Sequence, residues 1–210
     1  ADADESLIPP AVGFDDPDWI LGNGYLDYAA EAELINDNLL DFSHLTYVHA
    51  NSFGAPPAFA DERPKLTVLP RGVRFERWLV GTHGPVGSRT EEVVDGWSAY
   101  DFLIPGVLLM WSGSFPSGTA QQCGFEKPDY SKAVAGVTFT SQAVTPTAEK
   151  AARYFFSWGP HKDHGDAALA VSKHGVVLLN FARDGIIDPG ALARGLAEGR
   201  IGRYVTDFPK

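Results

Sequence analysis

Between Lys65 and Pro160 the chain runs through short stretches in which apolar and polar residues alternate, and this period of two constrains the fold more than any other feature. "KLTVLPRGVRFERWLV" (Lys65 to Val80) holds two such stretches broken at Pro70–Gly72. "TEEVVDGWSAYDFLI" and "GVLLMWSG" continue in the same style. "GVTFTSQAVTPT" (Gly136 to Thr147) reads as a further strand ended by Pro146, and "AARYFFSWGP" as the last before Pro160. One helical pattern precedes them, from about Glu31 to His49, with Glu31 and Glu33 near the positive end of its dipole and "NSFGAPP" closing it. A helix followed by a run of antiparallel strands predicts an α+β domain with a curved sheet. Residues 1–30, with "IPP" and "FDDPDW", read as irregular.

After about Ala168 the style changes. "GVVLLNF" is continuously apolar, as in buried parallel strands. "DPGALARGLAEG" then predicts a short helix with Asp188 as N-cap, Pro189 in the first turn and Gly199 beyond the end, and "RYVTDFP" one more strand. The division expected is therefore residues 1–168, then a β-α-β segment over 169–210 that is not an independent domain.

Composition narrows the partners. The 210 residues are 44% hydrophobic and 21% charged, enough for a sizeable core. A net charge of −10 without a Lys/Arg cluster argues against nucleic acid. The longest apolar run, Phe102 to Trp111, is too short for a bilayer and contains Pro105 and Gly106. The acidic N-terminus has no hydrophobic signal region, and one cysteine, Cys123, excludes internal disulfides and thiolate-held clusters, so a cytoplasmic location is expected. The sole methionine is Met110, which suggests a processed chain or a piece of a longer one.

"NDNLLDFSHLTYVHANSFG" (Asn36 to Gly54) places Asp41, His44 and His49 in apolar company, where imidazoles need a hydrogen bond or a metal. Two histidines and a carboxylate form the usual cage for mononuclear non-haem Fe(II) with open positions. On a regular helix, residues five apart diverge by roughly 140°. His44 and His49 therefore meet at one metal only if the helix bulges or ends before His49. Asp41, one turn before His44, either accepts from that ring's second nitrogen or faces outward. A core helix with two satisfied histidines remains the other reading of this spacing. His161, His164 and His174 read as surface residues, and His83 as a residue of a glycine-rich loop. Trp78, Trp97, Phe102, Trp111, Phe139, Phe155 and Trp158 read as core, some of them possible walls for an aromatic substrate.

The segment resembles the iron-ligand stretch of the Rieske non-haem iron oxygenases, in the aromatic O-demethylase branch that includes vanillate demethylase oxygenase subunits. That pattern, Asn/Asp-x2-Asp-x2-His-x4-His, is met by Asn38, Asp41, His44 and His49. "SAYDFLIPGVLLMWSG" and "AVTPTAEKAARYFFSWGP" are similar to later family segments in the same order, so the resemblance covers about residues 7–168. It implies a helix-grip fold (START/Bet v1-like) and Fe(II) held by His44, His49 and an aspartate from "SWGPHKDHGDAALA". Asp166 is preferred as that third ligand, with Asp163 in reserve; either is otherwise an N-cap or a solvated loop residue. It also implies O2 as co-substrate, an aromatic acid or aryl ether as substrate, and homotrimers. Asp41, with Asn38, would stand where electrons arrive from the Rieske centre of a neighbouring subunit.

Two departures qualify the resemblance. The chain has no Cys-x-His and Cys-x2-His segment, so electrons must come from an external 2Fe-2S protein, a ferredoxin/reductase pair or a missing half. The tail resembles D-2-hydroxyacid dehydrogenases, 3-phosphoglycerate dehydrogenase in particular. Asn180-Phe181-Ala182-Arg183 matches their substrate-arginine segment, and Asp207 their aspartate near the nicotinamide. Without a G-x-G-x-x-G turn the tail reads as a grafted packing element of a chimeric, fused or engineered chain, without dehydrogenase activity. Three functions are thus open: an Fe(II)-dependent oxygenase domain, a hydrophobic-ligand binding domain without turnover, and a dehydrogenase relative.

Overall fold

The alternating stretches pair into one antiparallel sheet in the computed structural model, which describes residues 8, 16–48, 55–83, 93–164, 176–180, 189–199 and 201–206. Its strands are β1 (Gly22–Tyr28), β2 (Lys65–Leu69), β3 (Gly72–His83), β4 (Val93–Leu103), β5 (Val107–Pro116), β6 (Ala135–Ala148) and β7 (Ala151–Pro160). The spatial order is β1-β7-β6-β5-β4-β3-β2. Consecutive strands from β2 to β7 form a meander, and β1 adds itself beside β7, with Gly22 opposite Trp158 and Tyr28 opposite Ala152.

Side chains alternate between the two faces of such a sheet. One face carries Phe75, Leu79, Tyr100, Phe102, Leu108 and Met110. Onto it pack α1 (Ala32–Leu40), α2 (His44–Tyr47) and α3 (Ala58–Asp61) through Leu39, Leu40, Phe42, Leu45 and Phe59. Ala32 and Ile35 of α1 also reach Val144, Ala152 and Tyr154. The opposite face buries Trp78, Trp97, Ala99 and Phe115 against Ala120 of α4 (Thr119–Gln122) and Tyr130. An antiparallel sheet with α1, α2 and α3 on one face and only the short α4 on the other is the α+β, helix-grip arrangement expected.

A buried acid holds two irregular places together. Asp95 of β4 is fully buried, and its Oδ1 accepts the Gly81 N–H at 3.1 Å, where the β3–β4 register shifts between Leu79 and Thr82. Its Oδ2 accepts the N–H groups of Gly118 and Ala120 at 2.9 and 3.1 Å, at the start of α4. A bulge and a helix start are thus tied through one carboxylate.

The tail is the β-α-β unit expected. β8 (Val176–Asn180) and β9 (Ile201–Thr206) pair in parallel, with α5 (Pro189–Ala197) between them. Pro189 opens α5, where its missing N–H costs no intrahelical bond. Gly199, φ 69°, follows the helix in the left-handed conformation. Asp188, Asp207 and the segment 181–183 lie outside the described residues.

Four expectations need correction. Residues 1–30 are not all irregular, because β1 forms there; as an edge strand it is exposed at nearly every position and shows no alternation. The helix expected from Glu31 to His49 is two helices, separated at Asp41. Pro146 does not end β6, which continues to Ala148. Past Ala143 that strand has no β5 partner, so a residue without an N–H loses nothing on that side. His83 is the last residue of β3, not part of a loop. Among the described residues no helix is long and apolar enough to cross a membrane.

Candidate metal centre

The break between α1 and α2 shapes the candidate site. Asp41 leaves helical geometry at φ −78°, ψ 79°, although its N–H still donates to Asp37 O at 3.0 Å. Its carboxylate accepts from the Ser43 hydroxyl, just before the next helix begins. The Ser43 hydroxyl foremost, then His44, hold this exposed carboxyl below the ordinary aspartate value. Phe42 fastens the break to the sheet, its ring centroid 4.4 Å from that of Tyr100 and 5.6 Å from that of Phe75.

His44 opens α2 half-buried, and its Nδ1 hydrogen-bonds the backbone carbonyl of Asp41. A carbonyl oxygen only accepts, so Nδ1 carries a proton, and the neutral tautomer with that proton has its lone pair on Nε2. That is the tautomer and support a metal-binding imidazole requires. The bond comes from the main chain of Asp41, so its carboxylate is left to the Ser43 hydroxyl. The donor chemistry of His44 therefore fits a metal.

Of the other ligands expected, His49 and Asp166 lie outside the described residues. Asn38 is exposed on α1. Asp163 sits in the short 3-10 turn Lys162–His164 with its side chain 68% exposed, 3.4 Å from His161 Nδ1. Among the described residues no group of His, Cys, Asp or Glu is gathered closely enough to hold a metal ion. The structure thus joins Asp41 to His44.

Two histidines expected at the surface are half-buried. The His161 ring stands edge-on to Trp19 at 5.3 Å and lies 6.3 Å from the His164 ring. Burial first, then the neighbouring His161, pushes the His164 imidazole below its ordinary value. His174 lies outside the described residues, and His83 is exposed.

The aromatic residues divide by sheet face. Trp78, Trp97, Trp111 and Phe139 occupy the face away from α1 and α2. Phe102 and the half-exposed Trp158 share the face that carries the His44 segment. Phe155 is 44% exposed on the far side. Sequence reading passed over Arg77. It is only 8% exposed, and its Nε and Nη1 are buried without hydrogen-bond partners. Its signal was its place in phase with Val73, Phe75 and Leu79, at a position where alternation demands an inward side chain.

Residues 28–187 match the family model described as the vanillate O-demethylase oxygenase C-terminal domain. Toluene-4-sulfonate monooxygenase system iron-sulfur subunit TsaM1 of Comamonas testosteroni is 31% identical over 179 residues, 81% of this chain and 49% of that protein. A vanillate O-demethylase oxygenase subunit of a Pseudomonas species is 31% identical over 168 residues, 75% of this chain and 48% of the other. The chain spans about half the length of these relatives. Dicamba monooxygenase bound to 3,6-dichlorosalicylic acid aligns with a TM-score of 0.64 at 20% identity, over 94% of this chain and 50% of that one. That likeness establishes a shared fold. On the extent of the family match, the chain belongs to the vanillate O-demethylase oxygenase C-terminal domain family.

Proposed function

We propose that this chain is the iron- and substrate-binding part of an oxygenase that demethylates or hydroxylates an aromatic acid. Fe(II) would be held by His44, His49 and Asp166, with Asp163 in reserve. The observation that carries the reading is the bond from His44 Nδ1 to the Asp41 carbonyl, inside the family-matched segment. Ferrous iron, when bound there, supplies O2 activation beside the substrate. The chain's own part is to fix the His44 tautomer and to keep a charged Asp41 carboxylate next to it. Asp41, with Asn38 one turn before it, would stand on the path by which electrons reach the iron from a Rieske 2Fe-2S centre on a separate protein or a neighbouring subunit of a trimer. An aryl methyl ether treated in this way yields a phenol and formaldehyde.

Iron content tests this. Wild-type protein purified anaerobically with ferrous iron is expected to hold about one iron per chain, and His44→Ala essentially none, by elemental analysis. Full occupancy in His44→Ala would remove His44 from the site. Aromatic ligands that bind while O2 uptake stays at background with a Rieske donor present would leave binding alone as the function.

We assign residues 1–168 to the oxygenase part and 169–210 to the appended β-α-β segment, and place the protein in the cytoplasm. The tail has a parallel strand pair but no glycine-rich phosphate turn in its sequence. Titration with NADH is accordingly expected to show no saturable change in fluorescence. A micromolar dissociation constant would revive a dehydrogenase role.

A further inference from the structure

Among the described residues, three charged side chains are buried: Arg77, Asp95 and Asp101. Asp95 accepts from three backbone N–H groups, and Asp101 takes both arms of Arg74 at 2.5 and 2.6 Å. Arg77 has no such compensation. Its guanidinium carbon lies 4.2 Å from the centroid of the Phe59 ring, which covers the flat face and leaves the N–H groups of Nε and Nη1 unanswered. Ser98, directly across the ladder, gives it no hydrogen bond. Glu62 is exposed and acts on Arg77 only through its field. Burial pushes the Arg77 guanidinium below its ordinary value, as expected of a desolvated cation without a bonded anion.

Beside Arg77 runs a cleft of about 550 Å³. β2 pairs with β3 only as far as Glu76, so the outer edge of β3 is without a β2 partner from Arg77 onward and the cleft opens along it. Ala58, Trp78, Leu79 and Phe125 give it apolar walls. Phe125 is half-exposed there at φ 62°, a left-handed conformation that a side-chain-bearing residue adopts only under constraint. Glu62 and Glu76 also line the cleft, balanced by Arg63 and Lys65, so a planar fork of donors beside its apolar walls matches a ring that bears a planar oxyanion.

We propose that Arg77 is the anion anchor of this domain, receiving the carboxylate of an aromatic acid whose ring lies against Phe125, Trp78 and Leu79. A small rotation of the flexible arginine stem turns its unanswered donors to the cleft. This deepens the function proposed above and rests on it for the substrate class, but binding at Arg77 needs no iron.

The test uses metal-free protein, with benzoate and its uncharged analogue benzamide as probes, followed by calorimetry. Wild type is expected to bind benzoate about tenfold or more tighter than benzamide, and Arg77→Gln to lose that preference while keeping its benzamide affinity. Arg77→Lys keeps the charge but not the fork, and is expected to lose at least about threefold in benzoate affinity if Arg77→Gln does not fold. Equal affinity of wild type for the two probes, or undiminished benzoate binding in these variants, overturns the proposal. With iron absent throughout, the result is independent of what His44→Ala does to metal content.

Discussion

Asp95→Ala is expected to destabilise the protein by roughly 2–4 kcal/mol, because it removes the acceptor of three backbone N–H groups, of which that of Ala120 is buried and costs about 1–3 kcal/mol when left unanswered, and those of Gly81 and Gly118 less. Against a typical total of about 5–15 kcal/mol, such a loss removes a large share of the protein's stability. Two irregular places fail together, since Gly81 lies in the bulge of β3 while Gly118 and Ala120 begin α4. Trp78, Trp97 and Phe115 pack between them and would lose their frame. Asp95→Asn keeps one acceptor oxygen and sets an NH2 group against N–H groups that also donate, so an intermediate loss is expected. Urea denaturation followed by circular dichroism measures both. A cost below about 1 kcal/mol for Asp95→Ala would show that water answers these donors.

Gly72→Ala is the second large effect, and its cause is contact, not conformation. A Cβ at Gly72 would lie 1.8 Å from the Phe102 carbonyl oxygen and 2.9 Å from its carbon. Both atoms are backbone of β4, so relief requires the β3–β4 ladder to move. Overpacking commonly costs about 1–3 kcal/mol, and a clash against backbone belongs at or beyond the top of that range. The β2–β3 hairpin should lose hydrogen-exchange protection before the rest of the sheet. Gly22→Ala is the control: its Cβ meets nothing nearer than the Trp158 carbonyl oxygen at 3.9 Å, and its stability should change by less than about 1 kcal/mol. Similar losses in the two variants would show that backbone entropy, not contact, sets the cost.

The residues disclosed the meander and concealed its margins. Strands β3 to β7 were legible because they bury side chains, and burial writes itself as alternation; β2, exposed at four of its five positions, was legible from its β-rich residues and the Pro70–Gly72 turn. β1 pairs along one edge and buries almost nothing, so "GNGYLDY" carries turn residues where a central strand would carry apolar ones. The helix break was hidden because Leu39, Leu40, Phe42 and Leu45 keep helical spacing across it and pack in one cluster. Its signal was Asp41 two residues before Ser43, a start that a continuous apolar pattern masks. In the candidate site, residue types named the chemistry of His44, but not that the main chain of Asp41, rather than its carboxylate, orients the ring. Arg77 escaped because charge in a strand is ordinarily read as facing solvent.

The pairing of β1 with β7 joins segments about 130 residues apart. On the ribosome, Gly22–Tyr28 emerges long before Ala151–Pro160 exists to receive it, while the hairpins in between assemble from near neighbours. Of the seven strands, the earliest synthesised is thus the last to dock. A nascent chain arrested before Ala151 would present two unsatisfied ribbons, β1 and the rim of β6, to whatever chaperone or sister chain is at hand.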